Sequence, residues 1–242
     1  MKIIAKTDVG LVRSTNEDTF TYLVKDENNF IAFVCDGMGG HLGGSFASSK
    51  TVEFINEAYN NLDTSKPLRN VGIWLFDLLQ QANDYIFEQS LTNENLKGMG
   101  TTVSGVINFN GEIYYAHIGD SRIYVYSESD LQQITTDHTY VNTLLLNGLI
   151  SFKQAQKHPK RHILTNALGI KRKVSVDIGQ IKLKDNENII ICSDGLHNML
   201  DGKKLLKVLS EKVDIEYKIN LLKDKALSNG GLDNITVILL EK

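Results

Sequence analysis

The sequence predicts an α+β fold in which helices pack on antiparallel sheet, and three features carry that expectation. Six short runs rich in β-branched and aromatic residues read as strands: Phe30–Cys35, Thr102–Phe109, Glu112–Ile118, Arg122–Tyr126, Ile189–Cys192 and Ile235–Leu240. Asn110-Gly111 stands between two of them, and this pair favours the positive-φ positions of a two-residue hairpin, so consecutive strands should pair antiparallel. The helical patterns are longer and set apart, which implies layers rather than alternating βαβ units.

A first helix is expected over Ser45–Tyr59, after a glycine pair. Val71–Gln89 repeats apolar residues at three- and four-residue spacing, and its aromatics Trp74, Phe76 and Phe87 are assigned to the core. Lys203–Leu209 and Glu216–Ser228 close the chain, with Leu205, Leu206, Leu209, Leu221 and Leu222 facing inward and the lysines of 203–225 outward. The segment from Asp137 to Gly169 departs from this pattern. It holds a short amphipathic helix, a break at Gly148 and the basic cluster His158–His162, and reads as an excursion from the sheet core. Only 2 prolines and no low-complexity tract interrupt the 242 residues, so one domain over 1–242 is expected.

Composition excludes several classes. The formal net charge is −3, so no global basic field favours nucleic acid or an anionic membrane. No stretch approaches the ~20 apolar residues that a membrane span needs. The N-terminal apolar stretch is too short and too interrupted for a signal peptide. Cys35 and Cys192 each sit in an apolar run and read as small buried hydrophobes, not as a disulfide framework. A cytoplasmic protein is expected.

The chemistry lies in a set of aspartates beside the apolar strands. Asp36 follows FIAFVC, Asp120 follows IYYAHIG, Asp194 follows IIICS, Asp233 precedes NITVILL, and Asp18 ends RSTNED. One Asp-Gly is ordinarily a turn. Several carboxylates converging at strand ends would repel one another and be costly to bury unless a cation joined them. An oxygen donor set suits Mg²⁺ or Mn²⁺, and neither cysteine has zinc-site spacing. A pair of such ions can activate water and assist an in-line phosphoryl displacement. Glycines at 37 and 195 would let the backbone approach a metal or turn sharply.

Together these residues resemble the type 2C (PPM) family of protein serine/threonine phosphatases, in its bacterial single-domain form. Arg13–Asp18, Asp36–His41, Gly98–Thr102, Gly119–Arg122, Thr136–His138, Ser193–Leu196 and Asp233–Val237 match its motifs in order, from Thr7 to Leu240. The resemblance implies two packed antiparallel β-sheets flanked on both sides by α-helices, with a binuclear Mn²⁺ or Mg²⁺ centre at one end. Asp36 would bridge both ions, the Gly37 carbonyl would bind one, and Asp194 and Asp233 the other. Asp18 would orient metal-bound water, and Arg13 would bind the substrate phosphate. Asp120, with Asp194, matches a third, weaker metal site, and 137–169 resembles a mobile flap. Implied partners are phosphorylated proteins and an opposing serine/threonine kinase, with the chain itself a monomer.

Two positions depart from the family pattern. Met38 stands where some relatives carry a proposed general-acid histidine, with His41 nearby in sequence, and Asn166 stands where relatives often carry arginine. His138 reads as flap-anchoring rather than catalytic. Other classes fit less well. A phosphoprotein-binding pseudo-enzyme would not need Arg13, Asp36, Asp194 and Asp233 together. The Gly-Asn-His-Glu motif of calcineurin-like esterases is absent. A cysteine phosphatase needs arginine six residues after its cysteine, where this chain has His41 and Asn198. No Gly-Lys-Ser/Thr loop supports a nucleotide triphosphatase.

Overall fold

Strand runs that are apolar at every position, rather than at alternate ones, need cover on both faces. The computed structural model, which describes residues 1–242 apart from the side chain of His41, supplies that cover by stacking two sheets between helices. In chain order the elements are β1 (Lys2–Asp8), β2 (Asp18–Asp26), β3 (Asn29–Met38), α1 (His41–Asn61), α2 (Val71–Thr92), a 3-10 turn (Glu94–Leu96), β4 (Gly100–Thr101), β5 (Val103–Phe109), β6 (Glu112–Ile118), β7 (Arg122–Tyr126), β8 (Leu131–Gln133), α3 (Tyr140–Leu146), α4 (Phe152–Lys157), β9 (Asp177–Ile181), β10 (Asn188–Cys192), α5 (Asp194–His197), α6 (Gly202–Leu209), α7 (Ile215–Ser228) and β11 (Ile235–Glu241). One sheet runs β1-β11-β10-β7-β8. The other runs β2-β3-β5-β6-β9, with β4 attached to β3. Every pairing is antiparallel.

The pleat divides each central strand between two cores. In β3, Ile31, Phe33 and Cys35 face the layer of α1 and α2, while Phe30, Ala32 and Val34 face the other sheet. In β11, Ile235, Val237 and Leu239 pack under α6 and α7, while Ile238 and Leu240 join the inter-sheet layer. The expected α-β-β-α sandwich is therefore the observed architecture. The Asn110-Gly111 hairpin also holds, with φ of 52° and 86° between β5 and β6.

Two expectations are corrected. Phe76 is 43% exposed: the face of α2 that meets the sheet is Val71, Leu75, Leu78, Leu79, Ala82 and Ile86, and Phe76 falls outside that face, about 100° round the turn from Leu75. Trp74 and Phe87 are half-buried. Lys218 is buried rather than solvated, because its ammonium meets Glu241 Oε1 at 2.5 Å, and the same oxygen accepts from Tyr126 Oη at 2.6 Å.

The segment 137–169 leaves the sandwich after β8 and carries α3 and α4. Its two ends meet in a neck: Tyr140 N donates to Ile163 O (2.8 Å) and Thr165 N to His138 O (2.8 Å). Arg122 of β7 grips Asp137 at the neck's start through Nε and Nη2, at 2.8 and 2.6 Å. Leu146, Leu149 and Phe152 at the far end are more than 60% exposed. No helix among the described residues is long and apolar enough to cross a membrane.

Candidate metal centre

The register of β2 on β3 places Asp18 directly opposite Asp36. Directly opposed residues project to the same face with Cβ atoms about 4.5–5.5 Å apart, and like charges there are destabilising. Asp36 continues the inter-sheet face of β3 set by Phe30, Ala32 and Val34. The second sheet brings the others. Asp194 opens α5 just beyond β10, Asp233 stands two residues before β11, and Asp120 lies in the turn from β6 to β7. Ser193 joins the sheets by donating from Oγ to Asp18 Oδ2 at 2.7 Å.

The main chain at this end is tightly fixed. Thr102 N donates to Asp36 O (2.9 Å) and Asp36 N to Thr102 Oγ1 (3.0 Å). Asn234 holds the N-terminal loop with three bonds of 2.9 Å: its Oδ1 accepts from Glu17 N, and its Nδ2 donates to Val9 O and Thr15 O. Gly37 and Gly195 do not turn sharply through a positive φ. A Cβ on Gly37 would meet Gly44 O at 2.2 Å and Glu17 O at 2.6 Å, and one on Gly195 would meet Asn234 O at 2.0 Å. Close backbone approach requires glycine at both positions.

The carboxylates raise one another's affinity for protons. Burial, then the charges of Asp18, Asp194, Asp120 and Asp233, push Asp36 well above the usual carboxyl range. Asp194 is pushed well up by burial and by Asp120, Asp233 and Asp18, with Arg13 opposing. Burial lifts Asp18 to about 6, against hydrogen bonds from Thr236 and Ser193. Burial and the charge of Asp137 lift Asp120 to about 7. Such a cluster is stable either protonated or beside positive charge.

The cluster suits a hard divalent cation. Its donors are all oxygen, and Asp18 Oδ1 and Asp194 Oδ1 are buried without a hydrogen-bond partner. Among the described residues, no three His, Cys, Asp or Glu side chains form a closed ligand set. One positive group is already present: Arg13 Nη2 donates to Asp233 Oδ2 at 2.7 Å. The excursion borders the same region, since the charges of Arg161 and Asp233 both act on the His162 ring, whose pKa is lowered first by burial.

A pH-dependent cation effect follows. Between about pH 4, where free carboxyls titrate, and about 7, where Asp120 titrates in the fold, the cation-free folded chain holds more protons than the unfolded chain. Its stability therefore falls as pH rises through that window. Cation binding requires the deprotonated ligands and removes this penalty. The gain in Tm on adding Mn²⁺ should grow from pH 5 to pH 8. Buried His117 and His197, lowered mainly by desolvation to about 4 and about 3, act in the opposite sense, with stability lost as pH falls below about 6.5. They act with or without the cation and cancel in the difference. A pH-independent gain would exclude these carboxylates as the cation's ligands.

All seven residues singled out from the sequence lie at this end of the sandwich. Sequence reasoning missed two supporting residues. His117, inside β6, contacts Ser104 Oγ (2.8 Å) and Thr136 O (3.0 Å). His197 contacts Asp120 O at 3.0 Å. The available signal was a polar residue inside an apolar strand for His117, and a spacing of three from Asp194 for His197. Asn166 is a tie within the neck, donating from Nδ2 to Ser175 O (2.8 Å) and His138 Nδ1 (3.2 Å). Met38 pairs with Gly100 across β4 and brings no titratable group to its position.

Comparison with known proteins gives the chain's family. The chain is 36% identical over 237 residues to the serine/threonine phosphatase stp of Listeria monocytogenes, covering 98% of this chain and 94% of the relative. The serine/threonine phosphatase of S. agalactiae superposes with a TM-score of 0.93 at 33% identity, covering 98% of each chain. The catalytic domain of the phosphatase PstP, solved in complex with 2 manganese ions, superposes with a TM-score of 0.82 at 28% identity, covering 98% of this chain and 96% of that domain. The sequence profile described as "Protein phosphatase 2C" matches residues 12–221, a span that runs from the loop of Arg13 through Asp194, and the chain belongs to that family.

Proposed function

We propose that this chain hydrolyses phosphoserine and phosphothreonine monoesters in proteins, opposing a serine/threonine kinase, and that it does so as one domain over 1–242. The observation that carries the reading is the facing of Asp18 and Asp36 across β2 and β3, with Asp194 near enough to raise Asp36's affinity for protons. Asp36 would be shared by two cations of Mn²⁺ or Mg²⁺, with the Gly37 carbonyl helping to hold one and Asp194 and Asp233 the other, and Asp120 with Asp194 would hold a weaker third. When bound, these ions supply Lewis acidity at the phosphoryl oxygens and an activated water for in-line attack.

The protein's own groups do the rest. Asp18, held at Oδ2 by Ser193, orients the attacking water through its unpartnered Oδ1. Asp233 aims the Arg13 guanidinium, whose remaining N–H groups bind two phosphoryl oxygens. The segment 137–169 forms a flap beside the aspartate cluster and presents Lys157, Lys160 and Arg161 to acidic or phosphorylated substrate.

The direct test is a phosphothreonine-peptide assay with and without Mn²⁺. Turnover should need the added ion and vanish with EDTA, and full turnover by verified metal-free protein would end this reading. Arg13→Ala should act mainly on KM. A lost charge-assisted contact of about 1.5–3 kcal/mol lowers kcat/KM by roughly ten- to a hundredfold. Arg13→Lys should recover part of that, because an ammonium lacks the planar fork. An unchanged kcat/KM in Arg13→Ala would make Arg13 a surface partner of Asp233 alone.

A further inference from the structure

Two histidines hold the β6–β7 turn, and the proposed chemistry gives neither of them a part. Gly119 adopts φ +103°, and both of its backbone polar groups go to His138. Gly119 N donates to His138 Nδ1 at 3.1 Å, and His138 N donates to Gly119 O at 2.7 Å. One residue on, Asp120 O accepts from His197 Nε2 at 3.0 Å.

The donors around each ring identify its tautomer. His138 Nδ1 accepts from Gly119 N and from Asn166 Nδ2 at 3.2 Å, so its proton is on Nε2, which donates to Asp177 Oδ2 at 3.1 Å. His197 donates from Nε2 to a carbonyl, and its Nδ1 is buried without a partner. His138 stands in the neck of the excursion. His197 stands on α5, three residues after Asp194. The peptide carrying Asp120 is thus tied on one side to the flap's root and on the other to the helix that begins with Asp194.

We propose that His138 and His197 are positioning residues that fix the Asp120 carboxylate relative to Asp194. This deepens the reading of those two aspartates as a shared cation site and rests on it. A glycine turn with positive φ has neighbouring peptide orientations that would swing Asp120 out of the cluster. Hydrogen bonds to the N–H of one peptide and the carbonyl of the next leave a single orientation. Outer groups that orient ligands are ordinarily worth about ten- to a hundredfold in affinity or activity.

The two clamps use opposite ring nitrogens, so amide side chains separate them. Asparagine places its oxygen where Nδ1 stands, and glutamine places its amide nitrogen near Nε2. His138→Asn and His197→Gln keep the relevant bond, and His138→Gln and His197→Asn lose it. The first pair should stay within about threefold of the wild-type kcat and the second should fall about ten- to a hundredfold, with KM nearly unchanged. In an Asp120→Asn background, His138→Gln should add less than about a twofold loss, because partners in one pathway are not additive.

A readout free of both metal and turnover is hydrogen exchange of the Gly119 amide in cation-free protein. It should be about tenfold faster in His138→Gln than in His138→Asn. Equal exchange in those two variants, equal kinetic losses from Asn and Gln at each position, or a full additional loss on top of Asp120→Asn would each overturn the proposal. If the wild type proves inactive, the phosphatase reading fails by itself, and the Gly119 exchange rates still decide the clamp.

Discussion

Asp36→Asn should abolish turnover and, at the same time, make the cation-free protein more stable. Asparagine keeps the shape of the side chain and the backbone bonds between Asp36 and Thr102. It removes the charge that Asp18, Asp194, Asp120 and Asp233 all oppose. Without cation at pH 8, melting should therefore occur at or above the wild-type temperature. With cation, the wild type should overtake the variant if Asp36 holds the bridging position proposed for it, because only the wild type retains that carboxylate. Loss of kcat should be on the order of a thousandfold or more, as for one member of a unit that acts together. Phosphopeptide turnover and paired melting curves with and without Mn²⁺ check both halves. Activity near wild type would remove Asp36 from the bridging role, and a lower cation-free melting temperature would refute the repulsion argument.

Gly37→Ala should be among the most damaging changes of a single methyl group. The added Cβ would stand 2.2 Å from Gly44 O, 2.5 Å from Gly44 C and 2.6 Å from Glu17 O. All three are backbone atoms, on the first turns of α1 and on the loop before β2, so no side chain can rotate away. Overpacking of this kind costs about 3 kcal/mol, or roughly 6–12 °C in Tm for a chain of this size. Turnover should fall with it, since relief must shift the Asp36–Gly37 backbone, the start of α1 at Gly44 or the loop at Glu17, all of which border the aspartate cluster. Gly98→Ala is the control: φ is +73° and nothing lies within 4 Å of its Cβ, so it should lose only the left-handed backbone penalty of about 1–2 kcal/mol. Equal melting points for the two variants would show that crowding at Gly37 relaxes.

Legibility along the chain followed the strength of the local signal. β5, β6 and β7 were readable because strong β-formers flank a turn pair that only a hairpin accommodates well. α2 was readable from its periodicity. β1, β2 and β9 were not, because KIIAKTD, DTFTYLVKD and DIGQI are edge strands of mixed polarity, without a continuous apolar run. Phe76 went astray because hydrophobicity alone does not say which side of an amphipathic helix a flanking aromatic takes. Lys218 went astray because its acid partner, Glu241, lies 23 residues away.

The sequence alone determined the chemistry on offer: oxygen donors, aspartates beside apolar strands, and glycines next to two of them. Those are properties of residue type and neighbourhood, which a linear string contains. Only the tertiary structure decided which carboxylates meet. The register of β2 on β3 sets Asp18 against Asp36, and the stacking of the second sheet brings Asp194 and Asp233 to the same end. It also decided that Gly37 and Gly195 serve close backbone packing rather than a turn, that Arg13 rests on Asp233, and that His138 and His197 hold the Asp120 turn. Those contacts join residues from 7 positions apart, as between Gly37 and Gly44, to 220 apart, as between Arg13 and Asp233. Pairings at such separations are selected by burying two apolar sheet faces against each other, a condition met by the whole chain and written in no local stretch of it.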